Sequence, residues 1–295
     1  MSERNAAFRS KQHRQRIRRQ AQTVDATGFF NLLTGPELME ATEAHLPEHR
    51  ERVYPPTVTL SMFLHQSVDA DGSCQKAVNG WAAQRCAEGL RVQSVRTGAY
   101  CKARERLPVA MVSGLARTVG ALVSARAKRA WRWRGRHVKL VDGTGISMPD
   151  TPENQACYPQ PGSQAAGVGF PLARLVGGIS LATGALLDAR IGPYAGKGSS
   201  ELALLRTLGS AFCAGDVMLA DAFYCNYFLI ATMRAAGVEV LFEQNGARIT
   251  DFRRGTRLGC RDHLVSWKKP KSRPEWMTAQ QYTQFPDELT VREVQ

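Results

Sequence analysis

The sequence predicts an α/β protein in which an all-helical N-terminal domain precedes a mixed β-sheet with helices. Apolar residues recur at helical spacing from Thr34 to about Arg134. From His137, short apolar runs alternate with helical patterns, and beyond Gln244 strand-like pieces lie between loops rich in Gly, Pro and Arg. The predicted parts are a flexible basic arm (1–28), a helical domain (29–135), an α/β domain (136–244) and a β-rich segment (245–295).

The helical domain is predicted from its caps and breaks. Thr34 opens the pattern with a capping box, and Ser73 and Thr97 can cap later helices that end near Gly89 and at Pro108. The last helix carries an apolar stripe of Val112, Leu115, Val119 and Leu122. Short helices joined by tight turns fit a helix-turn-helix reader of DNA, and they fit a plain helical bundle nearly as well.

One helix of this domain is predicted to carry a basic outer face. Tyr100, Ala103 and Leu107 share one side of the helix that follows Thr97. The side chains expected to stay available outside are Arg96, Lys102, Arg104 and Arg106. These four are therefore candidate DNA contacts.

The α/β domain begins with the strand HVKLVDG at His137. Two strands follow, joined by a hairpin at Ala182-Thr183-Gly184, and then a helix capped by Ser199 or Ser200. The strand VMLAD, a helix over about 225–236 and the strand VEVLFEQ complete the series. This order predicts a mixed sheet with an antiparallel hairpin and parallel crossovers.

Two aspartates at strand ends are the candidate catalytic residues. Asp142 precedes Gly143, a pair that by itself indicates a strand feeding a turn. Asp221 ends VMLAD, and the first and fourth strands of such a sheet can be parallel neighbours. Adjacent carboxylates repel unless a cation lies between them, and oxygen ligands suit Mg²⁺ or Mn²⁺. The pair thus predicts phosphoryl transfer; two independent strand-end aspartates are the alternative.

The basic composition predicts a polyanionic partner. The formal charge is +13, with 39 Lys and Arg against 26 Asp and Glu. Beyond the basic arm, the candidate DNA contacts are Arg129, Arg132 and Arg134, interleaved with Trp131 and Trp133, and Arg253 and Arg254 in the β-rich segment. A solvated basic face is the alternative interpretation.

Other features bound the class of protein. The 7 cysteines are widely spaced without a C-x-x-C pair, so they suggest neither a disulfide framework nor a zinc site. No apolar run reaches the roughly 20 residues of a membrane span. The basic start is not followed by the apolar region that a signal peptide would need. A cytoplasmic protein without a membrane partner is expected.

Several residues near the acidic pair and in the β-rich segment carry weaker hypotheses. Tyr224, Asn226 and Tyr227 could touch DNA, with packing as the alternative for Tyr227. His263 beside Asp262 resembles a general-base pair, although a structural histidine is the preferred interpretation.

These segments together resemble the DDE transposases of bacterial insertion sequences, in the branch whose RNase H-like domain is interrupted by a β-rich insertion. The resembling segments run from about Tyr54 onward and include TGAYCKARERLP, VDGTGISMPDTPENQ, GPYAGKGSSELALLR, LADAFYCNYF and DFRRGTRLGCRDHLVSWKKP. The resemblance implies that Asp142 and Asp221 hold Mg²⁺, with Mn²⁺ as a substitute. It also implies double-stranded DNA partners, namely element ends and target, and a homo-oligomer in the bacterial nucleoid.

The family's third acid is a Glu within a Tyr-x2-Arg-x3-Glu-x6-Lys signature, which this sequence lacks. Glu275, Glu288 and Glu293 fall in loop or strand-like sequence, so no third ligand is assigned in this chain, and a truncated product or fragment is expected. The resemblance implies phosphodiester cleavage followed by attack of the freed 3′-hydroxyl on target DNA. The alternatives are a catalytically dead DNA-binding protein or inhibitor, and an RNase H-like nuclease that does not transpose.

Overall fold

The structure, a computed structural model, describes residues 44, 46, 53–92, 94–165, 167–208 and 211–295. The basic arm and the capping box at Thr34 lie outside the described residues. By its internal contacts the chain divides into two compact units, Met1–Thr118 and Val119–Gln295. The bounds of the four parts expected from the sequence stay predictions.

The first unit is helical in its described part. Its helices are α1 (Pro56–Val68), α2 (Cys74–Ala87), α3 (Gly98–Glu105) and the first part of α4 (Val109–Ala125). The predicted cap of α2 is confirmed, because the Ser73 hydroxyl accepts a hydrogen bond from the Lys76 amide at 3.1 Å. The predicted Thr97 cap is wrong: Thr97 already has helical backbone angles, so its side chain makes no capping bond.

The core of the helical unit is built around a buried tyrosine. Tyr100 is fully buried and meets Tyr54 edge to face, with ring centroids 5.8 Å apart. Its hydroxyl donates to Gln66 Oε1 at 2.8 Å, which satisfies the polar end of the ring. The inward prediction for Tyr100 and Ala103 is confirmed, since both are buried.

The second unit contains a five-stranded sheet. Its strands are β1 (Val138–Ser147), β2 (Leu172–Ser180), β3 (Leu186–Pro193), β4 (Val217–Ala220) and β5 (Glu239–Phe242). They lie in the order β3-β2-β1-β4-β5, with β1–β2 and β2–β3 antiparallel and β1–β4 and β4–β5 parallel. The predicted hairpin, the mixed sheet and the pairing of the first and fourth strands are all confirmed.

The first strand is longer than predicted. Asp142 and Gly143 pair with Gly177 and Val176 of β2, and β1 continues to Ser147. The turn predicted from the Asp-Gly dipeptide is therefore wrong. A nine-residue antiparallel register with β2 extends the backbone through these residues, which outweighs the local turn preference.

Short helices complete this unit: α5 (Pro152–Cys157), α6 (Glu201–Leu205) and α7 (Tyr227–Ala235). The predicted cap of α6 is confirmed for Ser200, whose hydroxyl accepts from the Ala203 amide at 3.2 Å. The sequence did not predict α5. Val141, Val176, Met218 and Tyr224 are buried in a common apolar cluster, which fixes the central strands.

The β-rich segment forms a three-stranded antiparallel sheet, ordered β6 (Thr256–Gly259), β7 (Asp262–Lys268) and β8 (Glu288–Val294), with a short helix α8 (Ala279–Gln284). Trp267 and Leu289 of this sheet pack with Phe228 of α7 in one buried cluster. The strand-like pieces predicted beyond Gln244 are thus confirmed.

Among the described helices, none is by itself long and apolar enough to cross a membrane. The bent pair α3 and α4, at 75°, passes that test by length and composition only.

Candidate active site

Asp142 is exposed on the middle strand of the sheet. Its Oδ1 accepts a hydrogen bond from the backbone amide of Gly143 at 2.8 Å. Its backbone pairs with Gly177 of β2, so the residue is anchored in a ladder rather than in a loop. The first predicted carboxylate therefore lies on a fixed strand with its side chain in solvent.

Asp221 is exposed directly after β4. It caps a short 3-10 turn (Ala222–Tyr224), and its Oδ1 accepts from the Phe223 amide at 2.9 Å. Its backbone is still extended, with φ −76° and ψ −177°, so the chain keeps the direction of the strand through this residue.

The register of the parallel strands brings the two aspartates to equivalent positions. Leu140 of β1 is paired with Leu219 of β4, and each aspartate stands two residues further along its strand. Because side chains alternate with a period of two, both carboxylates follow the face of these leucines. The sheet thus brings together the two acids that the sequence singled out, at the point where β4 ends beside the middle of β1.

A buried phenol lies beside the aspartates. Tyr224 is fully buried, and its hydroxyl donates to Glu201 Oε2 at 3.0 Å. Burial raises the pKa of Tyr224 well above its usual range, and the negative charges of Glu201, Asp142 and Asp221 raise it further. All three negative charges therefore oppose ionisation of this one hydroxyl.

Glu201 was not singled out by the sequence. Its carboxylate lies against the backbone of Gly143, where a side-chain carbon would collide with it. Arg174 of β2 approaches Glu201 Oε1 at 3.9 Å and donates to the Ser199 carbonyl at 3.1 Å. No sequence signal marks Glu201 beyond its position after a capping serine, because its partners come from three distant elements.

The donor set fits part of a hard-cation site. Each aspartate uses Oδ1 for a backbone amide, and within the described ranges neither Oδ2 has a hydrogen-bond partner. Two such oxygens are ligands that Mg²⁺ and Mn²⁺ accept. No group of three or more His, Cys, Asp or Glu that could hold a metal ion occurs among the described residues.

The late glutamates lie elsewhere. Glu288 and Glu293 are on β8, where Glu288 accepts from Ser266 and Glu293 from the Trp267 indole. Glu275 is exposed and pairs with Lys197 at 3.7 Å. These contacts give each of the three a surface or structural partner other than Asp142 or Asp221.

The basic face of the helical unit is smaller than predicted. Arg96, Lys102 and Arg106 are exposed, as expected. Arg104 is not available outside: its guanidinium donates to Gln66 and to Cys74 and stacks 4.7 Å from the Phe63 ring centroid. The partly buried aromatic surface and these acceptors satisfy the cation within the fold.

The block before β1 presents aromatic and basic side chains together. Trp131 and Trp133 are each 54% exposed, and Arg134 stacks over Trp133 with 5.6 Å to the ring centroid. Arg129 and Arg134 are exposed, whereas Arg132 is partly buried and donates to the Ala127 carbonyl at 3.2 Å. Exposed rings flanked by cations can contact nucleic acid.

In the β-rich segment, Arg253 and Arg254 are exposed but share an acidic partner. Their guanidinium groups lie 2.8 Å and 3.5 Å from the Asp251 carboxylate. Hydrogen bonds from Arg253 lower the pKa of Asp251 to about 2. The net positive charge of this patch is therefore one less than its arginines alone would supply.

The weaker hypotheses are resolved by packing. Tyr224 and Tyr227 are buried, so the predicted DNA contact of Tyr224 is wrong and the packing alternative for Tyr227 is confirmed. Asn226 caps α7 by accepting from the Leu229 amide at 3.0 Å. His263 is a buried histidine that pairs with Glu293 at 3.1 Å, while Asp262 pairs with Arg292. The structural interpretation of His263 is confirmed.

Comparison with known proteins gives one relevant similarity. The chain is similar to the transposase InsG for insertion sequence element IS4 of Escherichia coli (strain K12), with 28% identity over 148 residues. The match covers 49% of this chain and 32% of the relative, so the chain spans about a third of the length of the curated protein it matches. No family model matches the chain, and no solved structure matches it. The similarity supports a distant relationship to transposases of insertion sequences.

Proposed function

We propose that this chain is a DNA transposase that binds the ends of its insertion sequence and cuts and joins DNA on an RNase H-like sheet. The observation that carries the proposal is the equivalent register of Asp142 and Asp221 on adjacent parallel strands. The strand order β3-β2-β1-β4-β5 and the similarity to InsG support it.

In this proposal Asp142 and Asp221 hold divalent cations through their exposed carboxylates. Mg²⁺, or Mn²⁺ in its place, supplies Lewis-acid activation at the scissile phosphate when bound. The anchored backbone of β1 and the capped turn after β4 keep the two carboxylates oriented. Their negative charge also explains why a cation is needed before a phosphate can approach.

In the same proposal, exposed Arg and Lys side chains bind the DNA. Arg96, Lys102 and Arg106 belong to one unit, and Arg129, Arg134, Arg253 and Arg254 to the other. Such side chains neutralise phosphates and position a duplex without reading its sequence. We further propose that more than one copy assembles on the element ends, in the bacterial cytoplasm at the nucleoid.

A second candidate is a DNA-binding protein that does not cut. The observation that favours it is the acidic set itself, since the described ranges hold no group of three or more ligating side chains. A pair of carboxylates binds a cation more weakly than a complete site. Such a chain could occupy element ends without processing them.

A plasmid assay separates the two functions. A supercoiled plasmid carrying the ends of the encoding element is incubated with the chain and Mg²⁺ or Mn²⁺, while end binding is measured in parallel. The transposase proposal expects nicking that Asp142→Ala and Asp221→Ala abolish with binding retained. Asp150→Ala, which removes an exposed carboxylate beyond β1, serves as the control and should nick normally. Binding without nicking would favour the second candidate, and nicking by either aspartate variant would overturn the site.

A further inference from the structure

We infer that the Tyr224–Glu201 hydrogen bond is a positioning bridge, which holds the turn of Asp221 against the strand of Asp142 and so keeps the two carboxylates in one geometry. The inference rests on the proposed function, because it assigns these residues a role at the same site. Neither Tyr224 nor Glu201 is assigned contact with DNA.

The bridge begins on the turn that Asp221 caps. Tyr224 is the last residue of this 3-10 turn, and its amide nitrogen donates to the Asp221 carbonyl at 3.2 Å. The ring is fully buried in the cluster with Val141 and Met218. A shift of the Tyr224 ring would therefore move the turn that carries Asp221.

The bridge ends on the strand of Asp142. Glu201 is the first residue of α6, which Ser200 caps, and its carboxylate occupies the space above Gly143. A side-chain carbon at residue 143 would displace this carboxylate. The residue next to Asp142 is thus shaped to receive the group that Tyr224 holds.

Arg174 lies near the second carboxylate oxygen of Glu201, the one that does not accept from Tyr224. Its Nε lies 3.9 Å from Glu201 Oε1, and its guanidinium stacks over Tyr194 at 4.7 Å. The Arg174 guanidinium therefore lies next to the same carboxylate that accepts the hydrogen bond from the Tyr224 phenol. Three elements, namely β2, α6 and the turn after β4, therefore meet on one carboxylate beside β1.

Packing alone does not require the Tyr224 hydroxyl. A phenylalanine ring would fill the same apolar cluster, and a buried hydroxyl is unfavourable unless it is bonded. Its one recorded hydrogen bond within the described part of the chain goes to Glu201. The hydroxyl therefore points to a positional role at the edge where the aspartates meet.

The test measures Mn²⁺ binding to the full chain by electron paramagnetic resonance, together with the midpoint of thermal unfolding. Tyr224→Phe should weaken Mn²⁺ binding by about threefold to tenfold, as expected for one lost buried hydrogen bond. Tyr227→Phe is the matched control: it removes a neighbouring buried hydroxyl that donates to the Pro286 carbonyl at 2.5 Å, away from Glu201. It should leave Mn²⁺ affinity unchanged.

Variants of Glu201 separate bridging from simple charge. Glu201→Gln keeps an acceptor for the Tyr224 hydroxyl and should retain more Mn²⁺ affinity than Glu201→Ala. Equal affinity in Tyr224→Phe and Tyr227→Phe would overturn the bridge. A second result would also overturn the bridge: Glu201→Gln loses as much Mn²⁺ affinity as Glu201→Ala, while Tyr224→Phe keeps the affinity of the unaltered chain. Glu201 would then act by its charge and not through the hydrogen bond.

Failure of the proposed function has a different outcome. Asp142→Asn and Asp221→Asn should each abolish the measured Mn²⁺ binding. If both aspartate variants bind Mn²⁺ like the unaltered chain, the cation site lies elsewhere and the proposed function loses its site. If the aspartate variants lose binding while Tyr224→Phe keeps it, only the bridge is wrong.

Discussion

Lys139 Nζ lies 2.6 Å from Asp216 Oδ2 in the interior of the sheet unit. Lys139 also donates to the Ala211 carbonyl at 2.6 Å, and the Cys213 amide donates to Asp216 at 2.7 Å. The pair joins the start of β1 to the residue before β4, where the pairing of these two strands begins. It therefore helps to fix the register on which the acidic pair depends.

We predict that Asp216→Ala destabilises the chain by about 3–5 kcal/mol, because it leaves the Lys139 ammonium buried without its counter-ion. Urea unfolding measures the change. The control is Asp287→Ala, which breaks an ion pair of similar length with Lys269, but there the Asp287 side chain is 93% exposed. That control should cost at most about 1 kcal/mol. Similar losses in both variants would contradict a buried role for the Lys139 pair.

A pH dependence is expected from the pair of His263 and Glu293. The hydrogen bond to Glu293 raises the pKa of His263 above 6.5. Burial opposes ionisation of Glu293, but hydrogen bonds from His263 and Trp267 still lower its pKa below 4.5. The pair therefore stabilises the fold fully between these two values. The stabilisation is lost as pH rises through the folded pKa of His263, or falls through that of Glu293.

The midpoint of thermal unfolding should accordingly fall as pH is raised from about 6.5 toward 8.5. His263→Gln removes the titrating ring and should flatten this part of the profile. An unchanged slope in the variant would assign the pH dependence to other groups.

A side chain at residue 143 should displace the Glu201 carboxylate from its position. Gly143→Ala is predicted to destabilise the chain by about 1–3 kcal/mol, since its methyl group would collide with the Glu201 carboxylate. Gly145→Ala is the matched control on the same strand, where the nearest atom, of Tyr194, would lie 3.7 Å from the new carbon. It should cost nothing measurable.

The double variant Gly143→Ala with Glu201→Ala tests the cause of this effect. Removing Glu201 should recover most of the stability lost at residue 143, as measured by a double-mutant cycle. Additive losses would show that the glycine is required for another reason.

Lys102 and Arg104 should differ although both lie on α3. Lys102→Ala should weaken binding to a labelled DNA duplex and reduce the slope of log affinity against log salt by about 1, with stability unchanged. Arg104→Ala should instead lower the unfolding midpoint, because Arg104 is bonded to Gln66 and stacked on Phe63. An equal loss of salt slope in both variants would contradict the inward position of Arg104.

The parts of the site that the sequence predicted depend on local pattern and on topology rules. Apolar runs located β1 and β4, and the order of elements made them parallel neighbours, so Asp142 and Asp221 could be paired without coordinates. The remainder depends on contacts between distant residues. The extension of β1 through Gly143 requires β2, and Tyr224 is buried by a cluster of distant apolar residues, with Glu201 as the acceptor for its hydroxyl.

Arg104 illustrates the same limit in the helical unit. Its charge suggested an outer position, although Arg104 stands four residues after Tyr100 and therefore on the same side of the helix. A long side chain can lay its methylene groups and its guanidinium along an aromatic surface. Phe63 of α1 supplies that surface, and Gln66 of α1 accepts a hydrogen bond from the guanidinium. Helical spacing thus agrees with the observed position of Arg104, and the expectation from its charge alone is what failed.

The different backbones beneath the two aspartates make the site unequal in local stability. Asp142 is locked in a ladder with β2, whereas Asp221 stands on a single 3-10 turn that follows a four-residue strand. Amide hydrogens of 222–224 should exchange with deuterium sooner than those of β1, and cation binding should slow the former much more than the latter. Asp142 would then stay fixed when a cation binds, and Asp221 would adjust its position to the cation.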